Sequence, residues 1–229
     1  MVVDPARSAD VAASCEEAAD AGVNVAMLRS EVLVKISDAV TPQGCAAIVR
    51  SQDLHLDDVG DGDLVILDEV RDPGNLGAVV RVAEAAGTAG VVLTGSSADP
   101  FGPKALRAST GSTFRIPVVD GGALGDVLED LNARGVTSFA TSSHGGEDFS
   151  AVSWPHPMAL VFGNEAHGLA PAMLERCERR VEIPLGGQVE SLNLAVAAGI
   201  LLFSSARPLR STKAPQAPST MQTMAEGEN

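Results

Sequence analysis

The strongest run of hydrophobic patterning along the chain lies in residues 159–203. Four apolar residues, Ala159 to Phe162, are short enough for a buried strand and stop at Gly163. The polar turn Asn164-Glu165-Ala166-His167-Gly168 follows, and then a helical pattern from about Pro171 to Cys177. A second strand, Val181 to Pro184, leads into the loop Leu185-Gly186-Gly187-Gln188-Val189-Glu190. The segment closes with a helix that begins near Ser191 and is apolar on nearly every side from Leu192 to Phe203. A helix of that kind belongs in a core or against another subunit. Two glycine-containing loops after strand ends, beside Asn, Glu and Ser, predict a ligand site.

From the N-terminus, residues 8–21 read as an amphipathic helix and Val23–Met27 as a strand. Ser30 can cap a helix through about Ser37, Thr41-Pro42-Gln43-Gly44 is a turn, and Cys45–Arg50 is a strand. The acidic, glycine-containing stretch 51–62 reads as a linker, which places a first domain at residues 1–60. Leu64–Leu67 is then a buried strand, Asp72-Pro73-Gly74 a turn, and Asn75 the cap of a helix that Gly87 ends after Ala86. Strand Ala89–Leu93, helix 121–133 and strand Val136–Ala140 follow. Strands alternating with helices over short connections predict an α/β fold with a mainly parallel sheet over residues 61–206. Residues 207–229, rich in Pro, Ser, Thr, Gln and Ala, are expected to be a disordered tail.

Length changes this picture little: 229 residues hold one sizeable domain, or one domain and a small companion. Three dispersed cysteines, Cys15, Cys45 and Cys177, suit neither a disulfide framework nor zinc, and predict a reducing, cytoplasmic setting without a metal. The longest apolar run, Leu194 to Phe203, is too short to span a bilayer, and the first residues lack a signal-peptide pattern. A net charge of −14 is unusual for a nucleic-acid binder. The acids crowd early positions, however, whereas residues 101–119 hold Lys104, Arg107 and Arg115 and no acid at all. That basic island could hold an RNA backbone.

Three segments resemble motifs of the SpoU/TrmH family of RNA ribose 2′-O-methyltransferases, in the SPOUT superfamily. The first is Asp72-Pro73-Gly74-Asn75-Leu76-Gly77, ending at Arg81; the second is Phe162-Gly163-Asn164-Glu165, with Gly168; the third is Ile183-Pro184 followed by Ser191-Leu192-Asn193-Leu194-Ala195. The resemblance covers nearly all of residues 31–205. It implies S-adenosylmethionine (AdoMet) as cofactor, a C-terminal trefoil knot, a homodimer paired through the last helix, and ribosomal RNA ahead of transfer RNA as substrate. The N-terminal pieces are similar to the end of the small α/β substrate-binding domain that precedes many family catalytic domains. The sequence starts partway through that domain, which implies either a shortened fold or a true start upstream of Met1.

Ligands of open parallel sheets bind beyond the carboxyl ends of strands. The resemblance places AdoMet against the loops starting at Thr141, Gly163 and Ile183, with Gly168 shaping the second loop and Leu192 closing the adenine pocket. It also makes Arg81 the base, with Asn75, Glu165, Ser191 and Asn193 arranging the site. A guanidinium is effectively never deprotonated in a protein. The physically easier role for Arg81 is a bidentate clamp on the target phosphate that also stabilises the forming alkoxide. Simpler roles exist for two of these residues, since Asn75 and Ser191 could each be a helix N-cap. A dinucleotide enzyme is disfavoured, because no Gly-x-Gly-x-x-Gly joins a first strand to a helix. A catalytically inactive RNA-binding protein on the same fold is the remaining alternative.

Overall fold

Two short blocks of backbone begin the chain, and a long parallel sheet ends it. The structure, a computed structural model, describes residues 2–3, 9–36, 44–50 and 54–206. The expected turn at 41–43 and the tail at 207–229 lie outside the described residues. The chain divides into two compact units, residues 1–53 and 54–229. In the first, β1 (Val2–Val3), α1 (Ala9–Asp20), β2 (Ala26–Met27), α2 (Ser30–Ile36) and β3 (Cys45–Ala46) follow in order. Strand β1 pairs parallel with β2 and antiparallel with β3. Both expected strands here are cut to two residues, and Ile48 and Val49 beyond β3 stay exposed.

In the second unit a single 3-10 turn, Leu56–Asp58, precedes β4 (Leu64–Asp68) and α3 (Pro73–Ala86). The path continues through β5 (Gly90–Thr94), α4 (Pro103–Ser109), β6 (Val118–Gly122), α5 (Leu124–Ala133) and β7 (Thr137–Ser142). It ends with β8 (Glu147–Asp148), β9 (Met158–Phe162), α6 (Pro171–Arg176), β10 (Arg179–Glu182) and α7 (Leu194–Ser205). The seven strands lie in the order β6-β5-β4-β9-β7-β10-β8, and every pairing is parallel. The expected α/β class with a parallel sheet is therefore what the chain forms.

Alternation along the strands sends side chains to two cores. Val65, Leu67, Leu160 and Phe162 meet Leu76, Val79, Val80 and Ala83 of α3 and Leu201 and Leu202 of α7. Leu64, Ile66, Ala159 and Val161 meet Leu124, Val127, Leu128 and Leu131 of α5. Strands buried on both faces read as continuous apolar runs, which is why β4, β5 and β9 are plain in the sequence.

Helix starts differ from expectation in an informative way. Asp72, not Asn75, caps α3: its carboxylate accepts from the amides of Gly74 at 2.7 Å and Asn75 at 2.9 Å, and Pro73 takes the first turn. Asn193, not Ser191, caps α7, accepting from the amides of Ala195 and Val196. Helix α5 starts at Leu124 because residues 121 and 122 still belong to β6. Strand β10 begins two residues before the apolar run, at Arg179, because that residue can stack on the buried Phe139 ring at 4.8 Å and pair with Glu147 at 2.7 Å.

Helix α7 is only half covered by its own chain. Ala198, Leu201 and Leu202 are buried, whereas Val196 is 50% and Phe203 53% exposed.

Candidate active site

Beyond the carboxyl ends of β7, β9 and β10 lies a cavity of about 630 Å³. Its wall is made by the loops after those strands, with Asn75 from α3 and the start of α7. All five residues expected to hold the cofactor, Thr141, Gly163, Gly168, Ile183 and Leu192, line it. So do Asn75, Glu165, Ser191 and Asn193. Arg81 does not: it is exposed further along α3, and its Nη1 donates to Thr110 Oγ1 at 3.2 Å.

The polar wall is a hydrogen-bonded chain across three distant segments. Asn75 Nδ2 donates to Glu165 Oε1 at 3.2 Å, and Asn193 Nδ2 donates to Asn75 Oδ1 at 3.0 Å. These partners lie 90 and 118 positions apart in sequence. The Glu165 carboxylate also accepts from the amides of Asp72 at 3.2 Å and Arg71 at 3.3 Å. Burial pushes the Glu165 carboxyl upward, but donors from its own amide, Asn75, Asp72 and Arg71 outweigh it and hold the group below its usual range. Glu165 is thus an ionised acceptor that orients the Asn75 amide, and Asn75 orients Asn193. Since Asn193 also caps α7, a single residue ties the helix start to the site.

The loop after β9 is shaped by Asn164. Its Oδ1 accepts from the amides of Ala166 at 2.9 Å and His167 at 3.3 Å, while Nδ2 donates to the Glu69 carbonyl at 2.9 Å. Gly163 is needed for close approach, because a Cβ there would stand 2.3 Å from both Gly168 C and Leu169 N. Its neighbour across the turn, Gly168, is needed for conformation instead, with φ at +66° and open space around it. The obstacle at Gly163 is therefore the protein's own backbone and not a ligand.

Sequence reasoning missed Asp72 as the organiser of the first motif. Its carboxylate also pairs with Lys104 at 2.6 Å, and this hydrogen bond, with those from the Asn75 and Gly74 amides, lowers its pKa. An Asp directly before a proline at a helix start was the available signal. Of the three basic residues expected to meet RNA, Lys104 is thus engaged with Asp72. Arg115 is forked onto both oxygens of Glu84 and also donates to the Thr110 carbonyl. Arg107 is exposed and makes no ion pair among the described residues.

The lining suits a ligand with an apolar or aromatic body and polar ends. Leu169, Val181, Leu185 and Leu192 supply apolar surface, and Thr141, Ser142 and Ser143 supply hydroxyls. Among the described residues the amides of Leu185 to Leu192 have no protein acceptor, so a ligand can take their hydrogen bonds. Three or more His, Cys, Asp or Glu side chains placed to hold a metal ion are not found among the described residues.

A fully parallel sheet whose ligand cleft is built from loops after its central strands, with an ordered amide–carboxylate chain on one wall, defines an α/β protein of enzyme type. The chain belongs to the SpoU rRNA methylase family, whose model matches residues 63–203. It is 37% identical over 184 residues to the 23S rRNA (guanosine(2553)-2'-O)-methyltransferase RlmP of Bacillus subtilis strain 168, covering 80% of this chain and 73% of that protein. A solved rRNA methyltransferase from Sinorhizobium meliloti superposes with a TM-score of 0.80 at 33% identity, over 92% of this chain and 80% of the other. The SpoU methyltransferase AviRb from Streptomyces viridochromogenes, solved in complex with the cofactor AdoMet, gives a TM-score of 0.78 at 29% identity, over 90% and 80%.

Proposed function

We propose that this protein transfers a methyl group from AdoMet to a ribose 2′-hydroxyl of structured RNA, with ribosomal RNA as the substrate class. The observation that carries this reading is the Glu165–Asn75–Asn193 chain, which brings all three family motifs to one wall of the cleft. The cleft's size, its apolar and hydroxyl lining and its free loop amides fit AdoMet. Thr141, Gly163, Gly168, Ile183 and Leu192 belong to the loops that would hold it. When bound, that cofactor supplies an electrophilic methyl on a sulfonium.

The chain's own residues then have to orient the hydroxyl, receive its proton and stabilise oxygen charge. Asn75 and Asn193 present amide groups fixed by Glu165, and Ser191 adds a hydroxyl at the same wall. Arg81 clamps the phosphate beside the target ribose, and that phosphate or a water takes the proton. Because Arg81 does not line the cleft of its own chain, a homodimer through α7 supplies it from the second copy. The half-exposed apolar face of α7, with Val196 and Phe203 outward, supports that pairing.

The strand order around β7, with β9 on one side and β10 on the other, is compatible with the trefoil-knotted path expected for the family. The first unit would act in substrate binding, and the enzyme would work in the cytoplasm. Among the described residues no helix is long and apolar enough to cross a membrane. The intact polar chain counts against the alternative of an inactive RNA-binding protein.

The test is transfer of labelled methyl from AdoMet to ribosomal RNA, followed by alkaline hydrolysis. One internucleotide bond should become resistant to cleavage. Cofactor binding without any resistant bond in ribosomal RNA, and none in transfer RNA assayed beside it, would leave the inactive alternative.

A further inference from the structure

Aromatic side chains are scarce in this protein, which has six Phe, one Trp and no Tyr. Two of the six phenylalanines are strongly exposed, Phe203 on α7 and Phe114 in the basic island, the latter at 56%. Phe114 ends a 3-10 turn, Ser112–Phe114, whose other two residues are buried at 1% and 5%. The turn is fixed: the Phe114 amide donates to the Gly111 carbonyl, and the neighbouring Arg115 is forked onto Glu84 while donating to Ser112 Oγ. A large apolar ring is therefore held outward by a rigid turn in a stretch that contains no acid from 101 to 119. Phe101 stands behind it, with ring centroids 6.3 Å apart and planes tilted by 42°. Lys104 and Arg107, three apart on α4, share one helical edge, and Phe101 lies two residues before that helix begins.

We propose that Phe114, backed by Phe101, is a stacking platform for an unpaired RNA base, with Arg107 on the adjoining phosphate. An exposed ring beside cations, on a chain of net charge −14, matches what holds single-stranded nucleic acid: a π-face for the base and positive charge for the backbone. Asp99 and Asp120 lie at the two ends of the island, outside the stretch between Phe101 and Arg115. The platform selects for RNA whose bases are already splayed out, as in a loop or bulge, over a regular duplex. This inference rests on RNA being the substrate.

The test uses a fluorescein-labelled oligoadenylate, its duplex with oligouridylate, and the full chain with Phe114→Leu, Phe114→Trp and the double change Lys104→Ala with Arg107→Ala. Phe114→Leu keeps apolar bulk but loses the π-face, so it should weaken oligoadenylate binding by roughly five- to a hundredfold with an unchanged salt slope. Phe114→Trp should restore binding, and duplex binding should not respond to either change. The double cation variant should instead flatten the salt dependence, by about one unit of slope for each phosphate no longer neutralised. Wild-type affinity in Phe114→Leu would overturn the platform. So would a change of oligomeric state in that variant by light scattering, which would assign the face to a second copy. Active methylation with Phe114-independent binding sinks this inference alone. Phe114-dependent binding without any methylation sinks the proposed activity and leaves the platform standing.

Discussion

Gly163 and Gly168 face each other across one loop and should respond differently to the same substitution. In Gly163→Ala the new Cβ would stand 2.3 Å from Gly168 C and Leu169 N and 2.6 Å from Gly168 O. An ordinary contact needs about 3.5–4.0 Å, so the backbone of Gly168 and Leu169 must move by roughly 1 Å or more. That motion breaks the 2.8 Å bond from the Gly168 amide to the Asn164 carbonyl. Overpacking costs about 1–3 kcal/mol and the broken bond about 1 kcal/mol, which gives a destabilisation of about 2–4 kcal/mol. At about 2–4 °C per kcal/mol for a chain of this size, the melting temperature should fall by roughly 4–16 °C. Gly168→Ala meets no atom within 4 Å and adds only the strain of a left-handed residue, about 1–2 kcal/mol. Calorimetric melting of both variants, with titration of AdoMet into each, checks the contrast. Gly163→Ala should be the less stable and should bind cofactor worse, because the loop lining the cleft is displaced. If Gly163→Ala melts with wild-type protein while Gly168→Ala does not, close backbone approach is not what Gly163 provides.

Two further outcomes are expected. Arg81→Lys keeps the charge but not the planar fork, so methylation should fall more than tenfold while AdoMet affinity stays unchanged; an active Lys variant would mean that any cation suffices. Because hydrogen bonds hold the Glu165 carboxyl below its usual 4.5, its contribution to stability is complete above that pH and is lost as pH falls through the lowered value. Glu165→Gln should therefore flatten the acid limb of melting temperature against pH below 4.5, and a limb parallel to wild type would show that the carboxylate is not engaged in solution.

The sheet and most of the cleft are legible in the sequence because their signals are local. Buried parallel strands are continuous apolar runs, and Ala159–Phe162 needs no partner in view to be recognised. The loops that line the cleft sit at the ends of such runs, so their positions follow. The helix caps escape a sequence reading for a shared reason. Asn75 and Ser191 are acceptable caps in isolation, but Asp72 and Asn193 occupy those places, which frees the Asn75 amide and the Ser191 hydroxyl for the cleft. Nothing local in the sequence states that choice. It depends on Glu165, which takes the Asp72 amide and the Asn75 side chain together. The fates of the cations are hidden similarly, since Lys104 and Arg115 find their acids 32 and 31 residues away.

Helix α7 shows how one pattern can answer to two environments. Its sequence is apolar on all sides, which by itself says only that water is excluded all round. Within one chain, Ala198, Leu201 and Leu202 satisfy part of that demand against α3 and β9, and Val196 and Phe203 do not. The same chain leaves Arg81 outside its own cleft and Asn193 inside it at the start of α7. A second copy laid on the uncovered face would bury the two exposed side chains and bring a guanidinium toward a cleft that lacks one. Coverage of the helix and completion of the site are then the same event. In that arrangement a charge placed at Val196 should abolish methylation without touching any residue of the cleft.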